Sequence, residues 1–372
     1  MISETPNFVA GRVSQNGTKL CQGDFEVTHK GGGIFGITVS GGGGDAVLLL
    51  NQYGKSSDYI DSAYLLRTPV SDDGSFEIAT TVGGAYRGAR NFNFVLIRSD
   101  FAYPIHSGSS GYSHGNRRGA CLLGKTVDDY SHSGRSHISE PPEFFQVDGN
   151  PNKGMTYLDI EKPEYDGTKT TELRQNAYTI SLKDSYYQEF TNALNPREFN
   201  EDWNHAGLIC PIARSTQGEA TGAPTNGSVL RETGIRKGHV FRAGINILGV
   251  GSDGHRHFDR SGAFQCAILT DQPDPDWQAE HRWIWGMYDG ADLDISTVGL
   301  QIVRQRPGSY RATFDTAYDK TPVVLATAVA EENYVEKAVV LETSETGFTI
   351  ITTDKHFDAT DRRFSFLVCP VA

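Results

Sequence analysis

The feature that most constrains the fold is an internal repeat of short strand-like segments. In the clearest copy, at the C-terminal end, bulky and polar side chains alternate, as expected of strands with one buried face. The segments of this copy are residues 308–314, 323–327, 338–342, 348–352 and 364–369. The first third of the chain has the same order of segments and turns, at residues 33–39, 46–50, 63–66, 76–80 and 92–97. A looser middle copy with insertions has residues 176–182, 206–213, 228–233 and 264–269.

Each copy predicts a small antiparallel β-sandwich, because short strands are separated by Gly, Pro and Asp-Gly turns and no segment has helical periodicity. The fold class predicted is therefore all-β, with three tandem β-sandwich domains related by internal repetition. The gaps between the copies predict two long irregular connections. The predicted boundaries are 1–100, 148–272 and 286–372 for the three domains, with 101–147 as a Ser/Gly/His-rich connection and 273–285 as a Trp-rich linker.

Composition excludes several classes of protein. The chain of 372 residues has 34 Lys+Arg against 46 Asp+Glu, a net charge of -12 that disfavours a general nucleic-acid binder. The longest clean apolar run, residues 46–50, is too short to cross a membrane as a helix. Five isolated cysteines and an N-terminal segment without a secretory leader predict folding in a reducing cytoplasm.

Aromatic side chains give two candidate contact regions. Trp277, Trp283 and Trp285 lie close together in the predicted linker. They have two interpretations: a packed seam between domains, or a contact patch for a sugar or a protein partner, since Trp and Tyr dominate such patches. Further candidate contact residues in predicted loops are Tyr53, Tyr59 and Tyr86.

Motifs for catalysis and metal binding are weak. Ser113 lies in a Gly-x-Ser-x-Gly match, but its flanks read as loop rather than the strand and helix that a nucleophile elbow requires. His255 and His257 form a His-x-His pair, and two ligands do not complete a zinc or iron site. No phosphate-binding loop or other cofactor motif is present. The sequence therefore predicts no catalytic residue and no cofactor, with the two histidines as weak metal candidates.

The C-terminal copy resembles the β-sandwich modules of bacteriophage tail and fibre proteins, and it is also similar to H-type lectin domains. The resemblance is carried by residues 308–314, the Pro-Val-Val passage at 322–324, the Gly-Phe turn at 347–348 and the aromatic end strand at 364–366. It covers about 85 residues well and the first third of the chain weakly. It implies a virion surface component or a carbohydrate-binding module, commonly trimeric.

The function expected is that of a non-enzymatic bacteriophage virion protein: a tail-fibre, baseplate-associated or capsid-surface component, assembled in the host cytoplasm. The expected partners are other virion proteins and a host-surface glycan, with no nucleic acid and no membrane insertion. Three copies in one chain predict either a homotrimer or a pseudo-trimer within one chain. Alternative functions are a carbohydrate-binding lectin and, from the Ser113 motif, a polysaccharide-active hydrolase.

Overall fold

The computed structural model describes residues 8–42, 46–54, 59, 61–66, 73–83, 86–98, 121–125, 158–161, 177–182, 205–211, 222–230, 239–250, 256–259, 264–270, 282–288, 293–296, 299–330, 336–354 and 356–371. Within these residues every helix or strand assigned is a β-strand, which confirms the all-β class. The strands form three successive groups of eight, which we name repeats 1, 2 and 3.

Repeat 1 is a sandwich of an inner and an outer antiparallel sheet. Its strands are β1 (Phe8–Val13), β2 (Phe25–Gly31), β3 (Ile34–Val39), β4 (Ala46–Gln52), β5 (Ala63–Leu65), β6 (Ser75–Val82), β7 (Tyr86–Arg87) and β8 (Phe92–Arg98). The inner sheet has the order β1-β8-β4, and the outer sheet has the order β2-β3-β6-β5, with β7 paired to β6. In β3, alternate residues Phe35, Ile37 and Val39 are buried, because successive side chains of a strand point to opposite faces.

Repeat 2 has the same two sheets. Its strands are β9 (Cys121–Lys125), β10 (Leu158–Glu161), β11 (Ala177–Leu182), β12 (His205–Pro211), β13 (Gly222–Leu230), β14 (His239–Val250), β15 (Arg256–Asp259) and β16 (Phe264–Thr270). The inner order is β9-β16-β12 and the outer order is β10-β11-β14-β13, with β15 paired to β14. β9 lies inside the segment 101–147 that the sequence suggests is a connection, and it forms an edge of the inner sheet.

Repeat 3 again has this architecture. Its strands are β17 (Ile284–Tyr288), β18 (Leu293–Ser296), β19 (Leu300–Arg306), β20 (Ser309–Phe314), β21 (Val323–Ala330), β22 (Lys337–Ser344), β23 (Gly347–Thr353) and β24 (Arg363–Cys369). The inner order is β17-β24-β21 and the outer order is β19-β20-β23-β22. β18 extends the inner sheet by pairing with β17, which begins at the end of the predicted linker.

The strands common to the three repeats align residue by residue. In each inner sheet the last strand of the repeat lies between the first strand and a strand from the middle of the repeat's sequence. The pairing of these strands fixes the alignment of the repeats. Equivalent positions on the outer sheets are Phe35, Tyr178 and Tyr310, and equivalent positions on the inner sheets are Phe92, Phe264 and Phe364. These are the positions that align the copies in the sequence, so the predicted internal repetition is confirmed.

Apolar side chains fill two kinds of core. Repeats 1 and 3 each have a core between their own two sheets, in which Phe94 and Phe366 are fully buried. A third cluster, which we call the central core, lies between the inner sheets of all three repeats. Its buried members are Ala10, Val47, Leu49, Val95, Ile97, Leu208, Ala267, Leu269, Trp283, Trp285, Val323, Leu325, Leu367 and Cys369. Both faces of the inner sheets are thus buried, and therefore their strands are nearly continuous in apolar residues.

Candidate functional site: the seams between the repeats

A ring of buried polar side chains joins the three inner sheets; we call each contact between two repeats a seam. The ring consists of the equivalent residues Asn93, Gln265 and Ser365. Asn93 Nδ2 donates to the Val324 carbonyl oxygen at 3.0 Å. The Leu48 N–H donates to Gln265 Oε1, and the Gly207 N–H donates to Ser365 Oγ at 3.2 Å. Each bond satisfies a polar group that would be costly to bury alone.

The polar ring closes in one direction. Repeat 1 bonds to repeat 3 through Asn93, repeat 3 bonds to repeat 2 through Ser365, and repeat 2 bonds back to repeat 1 through Gln265. A head-to-tail contact that is repeated among three units and returns to the first unit forms a closed ring. The three repeats are therefore arranged around an approximate threefold axis.

A second set of contacts follows the same circuit. At the end of β4, Tyr53 bridges to Val340 of β22, and the Gly54 N–H donates to the Val340 carbonyl at 2.9 Å. At the end of β21, Val329 pairs in parallel with Val229 of β13. At the third seam the buried Cys210 of β12 contacts Leu65. The thiol of Cys210 is hydrogen-bonded to the main chain of Leu65. Leu65, Val229 and Val340 are equivalent residues. They contact β12, β21 and the end of β4, respectively, and each of these strands belongs to a neighbouring repeat.

The seam between repeats 1 and 3 also holds a buried charge cluster. Lys337 of β22 is 6% exposed, and its Nζ donates to the main-chain oxygen of Asp61. The Asp61 carboxylate accepts from Arg90 Nε at 2.6 Å and from the Gly83 N–H at 2.7 Å. Beside Lys337 in the chain, Glu336 is paired with Arg362 at 2.6 Å.

Burial governs the protonation of Lys337. Removal from water lowers the pKa of Lys337 from 10.5 to about 7, and the attraction of Asp61 only partly opposes this. An amine that is largely neutral in weakly alkaline solution is chemically a base and a nucleophile. Lys337 lies in the edge strand of the outer sheet of repeat 3, and its amine is engaged with repeat 1, so its role in the described structure is to join the two repeats.

A partly exposed carboxylate fixes the turn at the start of β20. Asp361 accepts from both Nε and Nη2 of Arg304, from the Gly308 N–H at 2.8 Å and from the Tyr310 hydroxyl at 2.8 Å. The hydrogen bonds from Arg304 are the main reason that the pKa of Asp361 lies well below its usual range. Burial, followed by the hydrogen bond to Asp361 and then the negative charge of Asp361, raises the pKa of Tyr310 above its usual range. This group is a structural clamp within repeat 3.

Trp283 and Trp285 lie in the central core, where 0% and 1% of their surface is exposed. The Trp283 ring contacts Phe8 edge to face, with 4.9 Å between the ring centroids. Of the two interpretations that the sequence leaves open for these rings, packing between domains describes where they lie. They are therefore not available at the surface as the predicted contact residues.

Tyr53 is partly buried at the seam between repeats 1 and 3. Its ring packs against the core of repeat 3. The Arg12 guanidinium lies over this ring, 4.7 Å from the ring centroid. Tyr59 is also partly buried and has a φ of 48°. Tyr86 belongs to β7, but its side chain lies outside the described residues, as does the whole of Trp277.

The weak candidates for chemistry fall largely outside the described residues. Ser113 and His255 lie there entirely, and His257 is described only as backbone, paired with Gly249. Among the described residues, no group of three or more His, Cys, Asp or Glu side chains could hold a metal ion. A search of the same residues found no helix that is long and apolar enough to span a membrane.

A short motif, two apolar residues followed by glycine, marks the first inner strand of each repeat and was not recognised from the sequence. Two apolar residues precede a glycine in each of these strands, and the glycines are Gly11, Gly124 and Gly286. They pair with Phe94, Cys266 and Phe366, respectively, on the central strand of the sheet. At Gly11 an added Cβ would lie 2.1 Å from the Phe94 ring, so glycine leaves the space that this aromatic side chain occupies.

Comparison with known proteins identifies no relative: no family model, no curated protein and no solved structure matches the chain.

Proposed function

We propose that this protein is a non-enzymatic structural component of a bacteriophage virion, located in a tail fibre, at the baseplate or on the capsid surface. The observation that carries the proposal is the closed ring of three β-sandwich repeats around one central core. Such a ring gives a rigid body whose outer sheets are free to form contacts. A component of a larger assembly requires this kind of surface, because its position depends on many weak contacts.

Three further features support the proposal. The resemblance of repeat 3 to tail and fibre modules covers strands β20 to β24. Hydrogen bonds from Asn93 Nδ2 and Lys337 Nζ join repeats at the seams. Cys210, Cys266 and Cys369 are buried and form no disulfide in the described structure, which suits assembly in a reducing cytoplasm. Attachment to a host-surface glycan is part of this proposal and would use the outer face of the ring.

Peptide mass spectrometry of purified particles tests the proposal. Particles are released from cells that produce the chain, banded by density and washed at high salt. We expect peptides of this chain at a fixed ratio to the major capsid protein across the particle peak. Chain that stays in the soluble fraction, with none in the particle peak, would contradict the proposal.

The enzyme alternative has its own test. Ser113→Ala is compared with the wild-type chain for ester and polysaccharide cleavage. We expect no cleavage by either protein. Cleavage by the wild type that is lost in the variant would replace the structural proposal with the hydrolase alternative.

A further inference from the structure

We infer that the partner of this protein is a homotrimer, and that one copy of the chain sits on its threefold axis and contacts it through one outer edge strand of each repeat. The inference rests on the proposed virion function and adds the symmetry and chemistry of the partner. It starts from the closed circuit of equivalent seams, which relates the three repeats by rotation about one axis.

The edges of the outer sheets show which surface is left for a partner. Each outer sheet has one edge strand, β5, β13 or β22, that faces a neighbouring repeat at a seam. The opposite edge strands are β2, β10 and β19, which end their sheets without a further strand partner among the described residues. The ring therefore offers three equivalent strand edges, one for each repeat.

Two of these edges are closely alike in detail. β2 and β19 have the same sequence of burial along seven residues, with the first side chain buried and the last four exposed. Both have a register shift near the same end, between His29 and Gly31 in β2 and between Arg304 and Arg306 in β19. A partner segment that fits one edge has the backbone geometry to fit the other, since strand edges bind extended segments through main-chain groups.

One equivalent position on the edges indicates which kind of side chain a partner would present. Phe25, Leu158 and Leu300 are equivalent, so the next positions in each strand are Glu26, Asp159 and Gln301. All three residue types carry side-chain oxygens that accept hydrogen bonds, and Glu26 and Gln301 are exposed. The same edges also expose Lys30 in β2 and Arg304 and Arg306 in β19, so they carry charges of both signs, and the equivalent position of Glu26, Asp159 and Gln301 fits a hydrogen-bond donor side chain placed three times around the partner's axis.

Symmetry also gives a thermodynamic reason for such a partner. A homotrimer presents its docking segment three times in fixed positions. Once the first edge is engaged, the second and third contacts form within one complex and at high effective concentration. Three weak edge contacts then give a stable attachment, although each edge strand alone presents only a small surface.

Photo-cross-linking in purified particles tests the inference. A photoreactive amino acid replaces Glu26 in one preparation and Gln301 in another, and the cross-linked peptides are sequenced. Asn16 and Asp315 are the matched controls, because both are exposed and lie outside the edge strands. We expect positions 26 and 301 to cross-link to the same residue of one partner protein, with three partner chains for each copy of this chain. The controls should give no such common residue.

Lysine substitutions at these two positions provide an independent readout. Glu26→Lys and Gln301→Lys should each reduce incorporation into particles, and the double variant should reduce it more than either single variant. Cross-links from positions 26 and 301 to different partner residues, or equal numbers of chain and partner, would overturn the inference and leave the virion function standing. A chain that is absent from particles would instead overturn the virion function, and the inference with it.

Discussion

Lys337 should make the stability of the protein depend on pH in the alkaline range. Its pKa is about 7 in the folded protein and 10.5 when the side chain is free in water. Between these values the unfolded chain binds a proton that the folded protein does not bind. The free energy of unfolding therefore rises as the pH is raised from about 7 towards 10.5, and Lys337 adds no further pH dependence below that range.

The size of the effect follows from the same two values. Each pH unit inside the window changes the free energy of unfolding by about 1.4 kcal/mol, so the full window corresponds to about 5 kcal/mol. Between pH 7 and pH 9 the contribution of Lys337 is about 2 kcal/mol. Lys337→Met removes the titrating amine and keeps a side chain of similar length in the buried space.

Urea unfolding at pH 7, 8 and 9 measures the difference between the wild type and Lys337→Met. We expect the wild type to gain about 2 kcal/mol relative to the variant across this range. Lys30→Met serves as the control, because Lys30 is 47% exposed and its removal should leave the slope unchanged. Parallel curves for the wild type and Lys337→Met would refute the reasoning, since they would mean that the Lys337 amine does not titrate differently in the folded protein.

Three further substitutions test the packing of repeats 1 and 3 and the turn of repeat 3. Phe366→Ala removes a fully buried ring and should lower the free energy of unfolding by about 3–5 kcal/mol, whereas Val303→Ala, at a 62% exposed position, should scarcely change it in the same urea titration. Gly11→Ala places a methyl group against the Phe94 ring and should cost about 1–3 kcal/mol; an unchanged melting temperature would contradict the assigned contact. Asp361→Ala should cost about 1–2 kcal/mol at neutral pH. Because the pKa of Asp361 is lowered, its contribution is complete above its ordinary value of 3.8 and is lost as the pH falls below it. The difference between wild type and variant should therefore shrink as the pH falls from about 5 towards 2, and a difference that stays constant over this range would contradict the clamp.

Much of the fold could be predicted from the sequence because large aromatic side chains recur at equivalent positions of the repeats. Phe35, Tyr178 and Tyr310 mark one equivalent position, and they lie on the equivalent outer strands β3, β11 and β20. The first inner strand was harder to recognise. β9 has five residues and includes Gly124, so it shows little alternation.

The arrangement of the repeats could not be read from the same patterns. In Phe92-Asn93-Phe94 the alternation predicts an apolar face and a polar face that is exposed to water. Asn93 instead faces repeat 3, and it is 0% exposed. A polar residue between two buried ones looks the same in the sequence whether it meets water or another repeat. Lys337, next to Glu336, reads as a solvated pair for the same reason, and only the contact with Asp61 shows that it is buried.

The claim that the three repeats share one central core is tested most directly by hydrogen exchange in a Leu325→Ala variant. Leu325 belongs to repeat 3, and its side chain is buried in the central core. A shared core predicts faster amide exchange in β8 of repeat 1 and β12 of repeat 2, as well as in β21 itself, because all three inner sheets lose packing together. Faster exchange that is confined to the strands of repeat 3 would contradict it and would show three independent domains.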